Sequence, residues 1–341
     1  MHVDVLKLLG QVAGGEDLSL DEMSSAIDSI MRGKWSDAQI GLLLTGLAAK
    51  GETVDEVAGA ALAMRRHMTP IRSRHKQLLD TCGTGGGNSS MFNVSTTAAI
   101  VAAAAGVPVA KHGNRSITSR SGSADVLAEL GVNINATVPQ VEACLDELGI
   151  CFCFAPLMHP SMKSVAAVRK SLGIRTIFNV LGPLVNPAQA THQLLGAGRP
   201  ELRPLLAGAM ARLGTVRTLV VSGEDGLGDV TLTGTTHVSE VTPGASREFT
   251  WTPEDFGMER QSLASLSVDS PSASAAIIRQ ILDGVAGPAR DLVILNATAG
   301  LIAFGKTDSP LAAAAEAAAA IDGGAAKTLL ARLAKRSHEP A

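Results

Sequence analysis

The chain has 341 residues, 46% hydrophobic and 18% charged, with a net charge of -3 at pH 7, enough for about two domains with sizeable cores. Its 29 Lys and Arg residues are scattered, which points away from a nucleic-acid or membrane surface and requires any anion site to be local. Four cysteines (Cys82, Cys144, Cys151 and Cys153), no signal peptide and no uncharged apolar run of about 18 residues indicate a reduced, cytoplasmic chain without disulfides.

The segment before Gln77 is helical by pattern and holds no strand candidate. Ser19 with Glu22, Ser36 with Gln39, and Thr53 with Glu56 have capping-box spacing, and each pair precedes a run with apolar residues three or four apart. The apolar face of Ile40, Leu43, Leu44 and Leu47 is larger than a three-helix unit need bury. Two readings follow: the face packs inside the chain, or it helps to join two copies into a homodimer.

From Gln77 short apolar runs alternate with helices, the pattern of βα units around a mostly parallel sheet. Between Asp80 and Asp125 lie a turn with Gly83, Gly85, Gly86 and Gly87, a cluster of Asn93, Ser95 and Thr96 opening an apolar helix, and the run Lys111-His112-Gly113-Asn114-Arg115. Glycines can adopt positive φ and bring bare N–H groups close to an anion, and Ser95 and Thr96 stand where the next helix presents its unpaired amides. The glycines alone would also fit a plain loop. Lys111 and Arg115, emerging one helix later at the C-terminal end of a strand, make the stretch a polyphosphate site. It is neither a P-loop, which needs Gly-Lys-Ser/Thr where Gly87-Asn88-Ser89 stand, nor a dinucleotide fingerprint, which needs Gly or Ala at Asn88.

Further strands are expected at Leu78 to Asp80, Val107 to Ala110, Cys151 to Phe154, Thr218 to Ser222 and Leu292 to Leu295. Cys151 and Cys153 read as alternating buried strand residues, since no second pair follows to complete a zinc site. Met158 to Leu172 reads as a helix carrying His159 and Arg169, and Pro310 to Ala326 as an Ala-rich packing helix capped by Ser309.

Gly83-Thr84-Gly85-Gly86, Asn93-Val94-Ser95-Thr96, Lys111-His112-Gly113-Asn114-Arg115, Ser121-Gly122-Ser123-Ala124-Asp125 and the segment from Arg175 to Pro187 together resemble the anthranilate phosphoribosyltransferase family. The resemblance covers nearly the whole chain. It implies an α/β fold class with a small discontinuous α-helical domain, residues 1–72 with 158–185, and a larger α/β domain with a mostly parallel central sheet, residues 73–157 with 186–341. The ligand cleft would lie between them. The implied reaction transfers the phosphoribosyl group of phosphoribosyl pyrophosphate to the amine of anthranilate, in tryptophan biosynthesis, with magnesium as cofactor and a homodimer formed through the helical domain.

Carried over residue by residue, the resemblance assigns phosphoribosyl pyrophosphate to Gly83, Gly86, Gly87, Met91, Asn93, Val94, Ser95, Thr96, Lys111, His112, Gly113, Asn114, Arg115, Ser119 and Ser123. Gly83, Asn114 and Arg169 would address anthranilate, whose carboxylate suits a guanidinium fork. Ser95 and Asp229 would hold magnesium, and Lys111 would neutralise the departing pyrophosphate. No nucleophilic Ser or Cys is needed.

The chain departs from the family pattern at three places. Gly87 and Gly228 stand where the family has acids, and Met91 where it has a Thr. Asp229 is then the surviving carboxylate of a pair, with Asp225 as the candidate to compensate. Two other readings of the same fold stay open: a relative that binds a phosphorylated or nucleic-acid ligand without transfer, expected to have a lysine-rich cleft, and a pyrimidine nucleoside phosphorylase, expected to have a Lys in or right after the Gly turn.

Overall fold

The computed structural model describes residues 4–86, 90–116 and 120–341. It opens with four helices, α1 (Val5–Ala13), α2 (Leu20–Met31), α3 (Asp37–Lys50) and α4 (Val54–His67). The three spaced pairs form complete capping boxes: Ser19, Ser36 and Thr53 each accept from the N3 amide, while Glu22, Gln39 and Glu56 reach back to the cap amide. Two orphan donors are satisfied at each start, which fixes where α2, α3 and α4 begin.

The next part alternates strand and helix. β1 (Leu79–Gly83), α5 (Val94–Ala104), β2 (Val109–Gly113), α6 (Ser123–Glu129), α7 (Val138–Leu148) and β3 (Ile150–Phe154) come first. The chain then passes through α8 (Ala155–Met158), α9 (Lys163–Leu172) and α10 (Phe178–Leu181) before β4 (His192–Gly196), α11 (Leu202–Leu213) and β5 (Arg217–Gly223). A hairpin of β6 (Thr236–Thr242) and β7 (Ala245–Trp251) follows, then α12 (Pro271–Leu282), α13 (Pro288–Phe304), α14 (Pro310–Asp322) and α15 (Ala325–Arg336). One sheet has the order β3-β2-β1-β4-β5-β6-β7; neighbours from β3 to β5 pair parallel, and β5, β6 and β7 pair antiparallel. β3 and β4 are buried at every residue, as parallel strands covered on both faces must be. None of the helices among the described residues is long and apolar enough to cross a membrane.

Two hydrophobic clusters organise the packing. The larger lies around α5 and α13, which carry small and aliphatic side chains buried on nearly all sides. The second gathers α1 to α4 with Val165 and Val168 of α9, with residues from Ile177 to Val185, and with residues of α11. Ile40, Leu43, Leu44 and Leu47 are buried in it beside Leu8, Val12 and Val168. That face is therefore covered within the chain and is not left open for a second copy. The large apolar residues left outside on α1 and α3 are Leu6, 78% exposed, and Leu42, 64% exposed.

Several expected elements are corrected. Leu292 to Leu295 is not a strand but part of α13, started by Gly287 and Pro288; because the helix is buried from Leu292 to Ala303, its apolar run carries no amphipathic period to distinguish it. β4, β6 and β7 are strands beyond those expected. The Met158 to Leu172 helix is interrupted by a 3-10 turn at Pro160–Met162, since Pro160 removes a helical donor. The Ala-rich helix ends at Asp322, and Gly324, with φ 73°, turns the chain into α15. β2 extends to Gly113, so Lys111 and His112 are strand residues rather than loop residues.

Candidate active site

A cleft of about 640 Å³ opens at the C-terminal ends of β1, β2 and β4, walled on its far side by α9 and α10. Gly83 ends β1 opposite Gly196, and a Cβ on it would stand 2.9 Å from the Gly196 carbonyl. Gly85 and Gly86 follow with φ 64° and 82°, values that L side chains disfavour by about 1–2 kcal/mol. The Arg175 guanidinium lies directly against Gly86, so a Cβ there would have to push it aside. Gly85 and Gly86 therefore put no side chains of their own over their backbone amides.

α5 starts at the cleft without a side-chain cap. Asn93, its N-cap residue, is engaged elsewhere: its amide donates to the Ser121 carbonyl (3.1 Å), and its Oδ1 accepts from Ser121 Oγ (2.7 Å) and Ser274 Oγ (2.8 Å). The first-turn amides at Ser95 and Thr96 thus remain available, and Thr96 Oγ1 is buried with no partner among the described residues. An uncapped helix start of this kind attracts anions.

Lys111, 4% exposed, donates from Nζ to the Thr81 carbonyl. Burial pulls its pKa down, opposed by Asp80, Cys82 and Asp229. Asp229 lines the same end of the cleft, and burial pushes its carboxyl up to about 7, against the pull of Lys111 and helped by the charge of Asp225. Asp225 does not supply a free ligand, which corrects its candidacy: its carboxylate accepts from Leu227 N (3.0 Å), Thr231 Oγ1 (2.6 Å) and Thr233 Oγ1 (2.8 Å) and so closes its own turn. Position 228 has little space for a side chain, since a Cβ there would stand 3.1 Å from Gly198 Cα.

His112 faces the other half of the cleft. Its Nδ1 lies 3.1 Å from the Gly182 carbonyl and must carry a proton to bond there, which leaves its Nε2 bare when the ring is neutral, 3.2 Å from His159 Nε2. Burial lowers His112 to about 3, with His159 and Lys111 adding to the effect, and lowers His159 to about 4. Both rings are neutral near pH 7 and act as polar walls. Beyond them Arg169 of α9 lies over the Phe178 ring at 5.4 Å. Burial lowers its pKa, and no carboxylate among the described residues pairs with it.

Most of the expected site residues meet here. Gly83, Gly86, Met91, Asn93, Val94, Ser95, Thr96, Lys111, His112, Gly113, Asn114, Arg115, Ser123, Arg169 and Asp229 line this one cleft. Gly87 and Ser119 lie outside the described residues. Arg115 is exposed and its guanidinium is held by Asp125 at 2.7 Å, so it arrives already paired. Thr84, His159, Phe178, Asn179, Gly196 and Gly198 also line the cleft, although sequence reasoning assigns them no role in it. Gly196 and Gly198 are hidden by the missed strand β4; Phe178 and Asn179 carry a signal, since both fall inside the Arg175 to Pro187 segment of the family resemblance.

The donor set fits magnesium in one specific way. No group of three or more His, Cys, Asp or Glu side chains among the described residues could hold an ion alone. One carboxylate, Asp229, and one hydroxyl, Ser95, suit a hard cation that keeps waters and shares the oxygens of a bound polyphosphate.

These features define a two-part glycosyl transferase. A family model described as glycosyl transferase family, a/b domain, matches residues 75–327, and one described as glycosyl transferase family, helical bundle domain, matches residues 6–68. Anthranilate phosphoribosyltransferase of Moorella thermoacetica is 48% identical over 322 residues, 94% of this chain and 95% of that protein, and that of Anaeromyxobacter sp. (strain K) is 47% identical over 337 residues, 99% and 100%. Among solved structures, anthranilate phosphoribosyltransferase from Thermus thermophilus superposes with a TM-score of 0.91 at 42% identity, covering 97% of this chain and 99% of that one. The Saccharomyces cerevisiae enzyme in complex with PRPP and Mg gives 0.89 at 28%, covering 99% and 98%. The chain belongs to the anthranilate phosphoribosyltransferase family.

Proposed function

We propose that this protein transfers the phosphoribosyl group of phosphoribosyl pyrophosphate to the amine of anthranilate, releasing pyrophosphate, as a step of tryptophan biosynthesis. The observation that carries this reading is a single cleft lined by two unlike sets of groups. One set is the Gly turn, the uncapped start of α5, Lys111 and Asp229, assigned to a pyrophosphate end; the other is Arg169, with no acidic partner among the described residues, over Phe178, assigned to an anthranilate end.

The pyrophosphate group sits on the amides of the Gly turn and of Ser95 and Thr96, with Lys111 balancing its charge. Asn114, Ser123 and the Nδ2 hydrogen of Asn93 not used on Ser121 address the sugar phosphate, and Met91, Val94 and Gly113 shape its walls. Arg169 takes the anthranilate carboxylate in a two-pronged bond, and Asn114 and Gly83 hold the ring so that its amine faces the anomeric carbon. The anomeric C–O bond to pyrophosphate breaks through an oxocarbenium-like state, the amine lone pair forms the C–N bond, and the amine then loses one proton to the released pyrophosphate or to water. Since an aromatic amine is a neutral nucleophile, the chief demand is stabilising the leaving group, and His112 and His159 need carry no charge. Magnesium, where bound with the substrate, would be held by Ser95 and Asp229 and would supply positive charge at the pyrophosphate oxygens.

The test is loss of anthranilate fluorescence on mixing with phosphoribosyl pyrophosphate while magnesium is titrated. Consumption that saturates in all three, with one pyrophosphate released per anthranilate, is expected; no consumption by the folded protein at any magnesium concentration overturns the reading.

The helical part, residues 1–72 with 158–185, and the α/β part, residues 73–157 with 186–341, are proposed as the two domains that flank this cleft. A cytoplasmic location is proposed with them, in keeping with four free cysteines. The homodimer is proposed through the outer side of α1 and α3, where Leu6 and Leu42 are exposed. Sedimentation at micromolar concentration should give a dimer, with Leu42→Asp shifting it to monomer; a wild-type monomer contradicts the pairing.

A further inference from the structure

Val230 follows Asp229 in the irregular stretch between β5 and β6, and it is 1% exposed. Its backbone N–H and C=O are satisfied by one side chain. Asn296 of α13, fully buried, accepts from Val230 N with Oδ1 (2.9 Å) and donates from Nδ2 to Val230 O (2.8 Å) and to Leu292 O in its own helix (2.9 Å). On the other side of Asp229, Gly228 is packed against the Ala197-Gly198 backbone. Asp229 thus sits between two anchored neighbours, while its own carboxylate lines the cleft and has no hydrogen-bond partner among the described residues.

We propose that Asn296 is a positioning residue for the reaction, holding Val230 on α13 so that Asp229 is aimed at the magnesium and pyrophosphate end of the cleft. The inference rests on the reading of Asp229 given above. A buried amide stands out in α13, where Leu292, Val293, Ile294, Leu295 and Ala297 around it are apolar. For packing alone, an aliphatic residue of similar volume would serve; for a backbone with no strand beside it, only a side chain with both donor and acceptor serves. α13 also packs along α5, which carries Ser95 and Thr96 in its first turn. The α5–α13 pair therefore sets both walls of the magnesium end, Ser95 directly and Asp229 through Asn296.

The test compares wild type with Asn296→Ala and Asn296→Asp, with Leu301→Ala as control, since Leu301 is buried in the same helix but lies outside the cleft lining. Asn296→Asp keeps the acceptor for Val230 N and loses the donor to Val230 O, and it carries the comparison if Asn296→Ala does not fold. Mn²⁺ is titrated in the presence of phosphoribosyl pyrophosphate without anthranilate, free metal being read by electron paramagnetic resonance, and urea unfolding is measured in parallel. The Asn296 variants should bind Mn²⁺ about tenfold or more weakly and raise the magnesium half-saturation of turnover by the same factor, with the KM for anthranilate held within about twofold. Leu301→Ala should lose stability yet keep wild-type Mn²⁺ binding, and Asn296→Ala should add no loss on an Asp229→Asn background. Wild-type Mn²⁺ binding in the Asn296 variants, or an equal loss in Leu301→Ala, overturns the proposal. If wild type consumes no anthranilate, the proposed activity fails while the Mn²⁺ titration still decides the role of Asn296.

Discussion

Asp229 shows what a carboxylate held in a cleft costs the ligand-free protein. Its carboxyl is raised to about 7, chiefly by burial, whereas an unfolded Asp titrates near 3.8. Below the unfolded value both states are neutral and the group has no effect; as pH rises above it the unfolded chain ionises first, and the cost to folding grows until it levels off above the folded value. Asp229→Asn should therefore stabilise the ligand-free protein at pH 8, by up to about 4 kcal/mol at about 1.4 kcal/mol per pKa unit, with the gain vanishing towards pH 4. Urea unfolding of both forms at several pH values checks this, and a gain independent of pH contradicts it. The sequence marks Asp229 and Lys111 by type and position, but not their burial. Lys111 reads as a loop cation because Lys is seldom buried; only the parallel register of β2 between β1 and β3 encloses it.

Elements are legible in proportion to how much local chemistry ends them. Capping boxes fix α2, α3 and α4 because side chain and backbone meet within four residues. α13 is misread and β4 missed because a segment buried all round shows neither helical nor strand period, and its state is decided by neighbours distant in sequence. The Gly turn is legible from its glycines only together with Lys111 and Arg115 one helix later, and its geometry gives a prediction. Gly86, at φ 82° and against Arg175, cannot take a side chain without strain. Gly86→Ala should raise the KM for phosphoribosyl pyrophosphate about tenfold, in line with about 1–2 kcal/mol of left-handed strain, and should leave the KM for anthranilate nearly unchanged. A rise in the anthranilate KM alone would place the turn at the other substrate.

At the scale of the whole molecule, the site exists because two hydrophobic clusters meet along one cleft. The α/β cluster positions the Gly turn, α5 and β2; the helical cluster, through Val165 and Val168, positions α9 and with it Arg169. Motif spacing along the chain brings most of the expected site residues to the cleft, but it misses Gly196 and Gly198 beside β4 and Asn296, which reaches the site only through Val230 from a helix that sequence pattern reads as a strand. The division of the cleft between its two ends is the central claim, and Arg169→Ala tests it most directly. Anthranilate turnover and equilibrium binding of phosphoribosyl pyrophosphate are measured on the same variant. The KM for anthranilate should rise about 10- to 100-fold, as loss of a charge-assisted pair worth about 1.5–3 kcal/mol requires, with phosphoribosyl pyrophosphate binding within about twofold of wild type. Equal loss of both, with the protein folded, would mean that Arg169 does not belong to a separate anthranilate end.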